Sequence, residues 1–103
     1  MNAVNLTVEV HCIRSCQSIL NKEQALYRLY INNDLLTERT WIWKNNIYIK
    51  ENLWVHTKTT NLLTIQPIIN LPDQAIFTLS NLQVVDTMFT STQINDLTIS
   101  FTL

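Results

Sequence analysis

The 103-residue chain has no glycine. Glycine supplies the positive φ angles of sharp turns because it has no Cβ to clash there. Its absence excludes a Gly-rich phosphate loop, a dinucleotide fingerprint and a nucleophile elbow. Asparagine tolerates left-handed backbone next best, since its short amide bonds the local main chain. Two pairs, Asn32-Asn33 and Asn45-Asn46, stand where glycines would be expected. The chain has handed its reversals to Asn and Asp.

Charge is also scarce. Only 15% of residues are charged, where roughly a quarter is usual. Asn, Thr, Ser and Gln fill the polar positions, and neutral amides and hydroxyls are easier to desolvate than Lys or Glu. Such a surface suits packing against a partner, although AT-rich codons produce the same bias. The net charge is −1, and the last 45 residues carry no basic group beyond Lys58. A nucleic-acid partner calls for a clustered basic face, so none is expected. No apolar run has the length of a membrane helix, and MNAVNLTVEV lacks the basic start of a secretion signal. The expectation is a soluble protein made in the cytoplasm, with no membrane partner.

Cysteine and histidine are equally few, two of each. His11, Cys12 and Cys16 make the one metal-like cluster, but structural zinc needs four ligands and His56 is remote in sequence. A strand would also turn His11 and Cys12 to opposite faces. A Cys12–Cys16 disulfide would close too small a loop to stabilise much. Inert, buried cysteines are expected, with a metal or redox site as the alternative. The eight carboxylates fall at strand ends or exposed alternation positions, and no spacing pairs them for acid-base work. No catalytic residue, metal or cofactor is expected.

What is present is period-two alternation. Leu6, Val8 and Val10 point one way and Asn5, Thr7, Glu9 and His11 the other. Leu97, Ile99, Phe101 and Leu103 repeat the pattern at the end of the sequence. Between them the residues predict strands near 25–31, 35–44, 47–56, 62–69, 76–79, 82–86 and 88–92, rich in the β-branched and aromatic residues that strands favour. Pro67 should lie on a strand edge or end its strand. The expected fold is all-β: residues 1–103 as one antiparallel β-sandwich of immunoglobulin-like or jelly-roll type, with seven to nine short strands.

Both Asn pairs read as type I′ hairpins. Asn32-Asn33 would set Tyr30 opposite Leu35 and Arg28 opposite Thr37. Asn45-Asn46 would set Trp43 opposite Tyr48, Ile42 opposite Ile49 and Trp41 opposite Lys50. Lys50 and Arg39 would then lie near Trp41 for cation–π contact. The second hairpin would be apolar on both faces, and a sheet apolar on both sides is covered on both. That points to an interface built from Trp41, Trp43, Tyr48 and Trp54. The terminal strand ends on the apolar phase at Leu103 and reads either as an ordinary last strand or as an edge that pairs with a neighbour. The same aromatics also read as ordinary core residues, since Trp is the usual anchor of a small sandwich, or as a platform for stacking on sugar rings.

The run from Leu26 through Trp43 (LYRLYINNDLLTERTWIW), followed by Ile49-Lys50-Glu51-Asn52, resembles small virion-associated proteins of marine tailed phages. The resemblance carries no residue roles. It implies a non-enzymatic virion structural protein, assembled in the cytoplasm of an infected bacterium, with other capsid, neck or tail proteins as partners. A capsid decoration subunit, homo-oligomeric or bound to a repeating lattice, fits that class. The alternative is a carbohydrate-binding sandwich module of a tail or host-surface adhesin.

Overall fold

The computed structural model describes residues 3–14, 25–41, 48–69 and 75–103. Eight strands follow in order: β1 (Ala3–Arg14), β2 (Ala25–Ile31), β3 (Asp34–Trp41), β4 (Tyr48–His56), β5 (Thr60–Ile69), β6 (Ala75–Val84), β7 (Thr90–Asn95) and β8 (Thr98–Thr102). They form two antiparallel sheets, ordered β4-β1-β6 and β3-β2-β5-β8-β7. This is an all-β sandwich, as the alternation requires.

Apolar residues of both sheets fill the space between them. Leu6, Val8 and Val10 of β1 and Phe77, Leu79, Leu82 and Val84 of β6 meet Tyr27, Leu29, Leu63, Ile65, Ile99 and Phe101 of the larger sheet. The Tyr27 and Phe77 rings touch across the gap, centroids 5.5 Å apart.

The four left-handed residues described are Asn32, Asn33, Asn81 and Asp86, all Asn or Asp. Asn32 and Asn33, at φ 49° and 71°, form the tight turn between β2 and β3. Tyr30 faces Leu35 there, as expected, but a bulge between Leu29 and Tyr30 shifts the rest. Arg28 therefore faces Glu38 instead of Thr37, and their side chains pair at 2.6 Å. The extra residue is Leu36, which packs on the core.

Asn81, at φ 52°, explains why two strands were expected where one exists. Leu82 and Asn81 together oppose Val8, so the inward set of β6 changes from Phe77 and Leu79 to Leu82 and Val84. A bulge breaks the period without breaking the strand. The strand expected near 88–92 begins later, at Thr90. Pro67 lies in β5, an inner strand, but the pairing with β8 ends near Thr64. Its missing N–H thus falls where no ladder bond is needed.

The second expected hairpin is corrected. β3 pairs with β2, whereas β4 pairs with β1 in the opposite sheet. Trp41 faces Ala25 and Lys50 faces Glu9, so no Trp41–Lys50 pair forms. Residues 42–47, between β3 and β4, lie outside those described, as do the Ile42–Ile49 and Trp43–Tyr48 pairings. Local residues alone do not decide which strand β4 joins.

Candidate functional site

β3 and β4 are edges of opposite sheets, and one polar cluster joins them. Alternation turns Ile49, Glu51, Leu53 and Val55 of β4 inward, so a carboxylate enters the core. Glu51 is 2% exposed. Arg39 of β3 grips it from both nitrogens, Nε to Oε2 at 2.5 Å and the terminal nitrogen to Oε1 at 2.7 Å. The Tyr27 hydroxyl of β2 donates to Oε2 at 2.6 Å. A buried charge is tolerated only when paired and hydrogen-bonded in this way. Burial, then the bond to Glu51, pushes the Tyr27 hydroxyl pKa well up from its ordinary value. The bond to Glu51 likewise raises Arg39. Glu51 was expected at an exposed or terminal position, and Arg39 was expected beside Trp41. The sheet crossing corrects both.

The outward face of the three-stranded sheet holds a different group. Tyr48, Lys50, Asn52 and Trp54 alternate outward from β4, beside Asn5, Thr7, Glu9 and His11 of β1. Trp54 is 72% exposed and Tyr48 49%. Six residues of one strand separate them, about 20 Å at strand rise. Between them the amides of Asn5 and Asn52 bond at 2.5 Å. The Tyr48 ring stacks on His11 with centroids 5.0 Å apart. Glu9 Oε1 accepts from Asn81 Nδ2 at 2.9 Å and lies 3.1 Å from His11 Nε2. Those two hydrogen bonds, Asn81's first, lower the Glu9 pKa. The face is flat, aromatic at both ends and close to neutral, because Lys50 lies across from Glu9.

The expected interface set is thus divided. Tyr48 and Trp54 share the face. Trp41 ends β3 in the other sheet, and Trp43 lies outside the described residues. Leu103 is half-buried against the core, and its N–H donates to Thr59 O at 3.1 Å. β8 lies between β5 and β7, so it offers no edge to a neighbour. The expectation of a terminal edge at Leu103 is corrected. Sequence reasoning placed Asn5, Glu9 and His11 on one side of β1, but nothing local revealed that β4 lies beside them.

Cys12 packs half-buried against the core while His11 faces outward, and Cys16 lies outside the described residues. Among the described residues no three His, Cys, Asp or Glu side chains gather in a metal-like group. None of their helices is long and apolar enough to cross a membrane. No family model matches this chain, and no curated protein or solved structure is significantly similar to it.

Proposed function

We propose that this chain is a non-enzymatic virion structural protein of a tailed phage, a capsid decoration or stabilising subunit that docks through the outward β4–β1–β6 face. The carrying observation is Trp54, a large aromatic left 72% exposed on a sheet face where the Asn5 amide already donates to Asn52. A large exposed Trp is the type of residue that anchors protein docking. Neutral amides are easier to desolvate than charged side chains. Many weak copies on a repeating lattice would then bind by avidity. Support for the virion class comes from the resemblance in residues 26–43 and 49–52.

Particles purified from infected cells and probed by mass spectrometry should contain the chain. Trp54→Ala and Tyr48→Ala should each lower its occupancy by about tenfold or more. Absence from particles, or full occupancy of both variants, overturns the reading.

A second reading rests on the Asn5–Asn52 amide pair beside Trp54, a combination that also suits a sugar ring. A change of tryptophan fluorescence on titration with a glycan panel, lost in Trp54→Ala, would favour an adhesion module over a capsid subunit.

A further inference from the structure

The sandwich has four strand edges, and they are not alike. An open edge presents unpaired N–H and C=O groups, which charged residues commonly guard. β3 carries Asp34, Glu38 and Arg39, and β4 carries Lys50, Glu51 and His56. The edge of β6 is sealed at Leu79, whose N–H donates to Asp96 O at 2.8 Å and whose carbonyl accepts from Gln93 Nε2 at 3.0 Å. β7 reads Thr90-Ser91-Thr92-Gln93-Ile94-Asn95, without charge or proline, and all six residues are exposed. Among the described residues no strand lies beyond it. Met88, 93% exposed, precedes the strand by two residues, and Ile94 within it is exposed as well.

The backbone direction of β7 follows from its neighbours. Leu97 O accepts from Ile65 N–H, and Leu103 N–H donates to Thr59 O, so odd-numbered residues in and around β8 turn toward β5. Thr98, Ser100 and Thr102 then serve β7, where their partners are Asn95, Thr92 and Thr90. Antiparallel pairing alternates, which leaves Ser91 and Gln93 with outward-facing N–H and C=O.

We propose that a second copy of this chain adds its β7 antiparallel to this edge, Thr92 facing Thr92 across a two-fold axis. In that register Ser91 of one copy and Gln93 of the other exchange both backbone hydrogen bonds, and symmetry repeats the pair. Two five-stranded sheets become one. Cross-strand Thr–Thr pairs are favourable, and a strand without charge sets no like charges face to face. Asp86 and Asp96 lie outside the paired segment. The irregularity between Gln93 and Asn95 confines regular pairing to the residues around Thr92. The edge is self-complementary, as a two-fold contact must be. This inference does not rest on the docking face.

Sedimentation equilibrium of the purified chain tests it. The wild type should show a concentration-dependent dimer. Thr92→Lys, at an exposed position, should raise the dissociation constant at least about tenfold by apposing two cations. Ser91→Pro should do the same, because it removes an N–H that its own sheet does not use. Mixing Thr92→Lys with Thr92→Glu should restore a heterodimer, a result that requires the two positions to meet. Trp54→Ala should dimerise normally, which separates this edge from the docking face. A wild type that stays monomeric, a dimer indifferent to both Thr92→Lys and Ser91→Pro, or no rescue on mixing overturns the proposal.

Discussion

Glu51 and Glu9 lie on paired neighbouring strands, β4 and β1, opposite Val8 and Lys50 respectively, yet one carboxylate points inward and the other outward. Glu51 meets Arg39 and the Tyr27 hydroxyl in the core, joining the two sheets. Glu9 meets Asn81 and His11 at the surface, organising a single sheet. The comparison teaches that residue type does not set a carboxylate's role. What sets it is which side of the pleat the residue occupies and whether water can replace its partners.

The largest expected break is Glu51→Ala. It leaves the buried Tyr27 hydroxyl without its acceptor and frees the half-exposed Arg39, and should cost about 3 kcal/mol in urea unfolding. Glu9→Ala, by contrast, should leave the unfolding midpoint nearly unchanged. Equal losses would erase the distinction. Tyr27→Phe deletes one hydrogen bond to a charged group from the same cluster and should cost about 2 kcal/mol. A smaller loss would mean that Arg39 alone satisfies Glu51.

Asn81→Ala tests the surface group through its backbone. A Cβ residue without a local amide should cost about 1–2 kcal/mol in the left-handed bulge, and Asn81→Gly should recover part of that loss.

The pH dependence separates the two groups by sign. The Tyr27 pKa is raised in the fold, so its contribution is complete below its unfolded value of 10.0 and falls as pH rises above it. Tyr27→Phe should flatten stability above that pH. The Glu9 pKa is lowered, so its contribution is present above the unfolded value of 4.5 and is lost as pH falls below it. Glu9→Gln should remove that smallest slope, as followed by thermal melts across acid pH. An unchanged slope would show that the Asn81 and His11 bonds do not persist in solution.

Legibility in the sequence followed the range of the interaction. β2 was bounded at Ala25 and Ile31 by composition alone, and the left-handed Asn32-Asn33 turn followed from two adjacent residues. That Tyr48 and Trp54 share one strand face follows from alternation, which puts residues six apart on the same side; that this face is exposed does not. The company they keep was not legible either. His11 stacks on Tyr48 across 37 residues of sequence (48 − 11), and local pattern contains no term for such a distance. The Arg28–Thr37 register failed because a bulge adds one residue without leaving a composition mark.

By itself the sequence determined an all-β chain, its inward and outward residue sets, and turns made from asparagine in place of glycine. Those follow from the pleat's period and from Cβ sterics, which act within a few residues. Tertiary structure alone decided that β4 joins β1 instead of β3, that Glu51 is buried, and that β7 is the unguarded edge. Partner choice among strands depends on burying two apolar faces together, and that free energy belongs to the assembled sandwich, not to any segment of it.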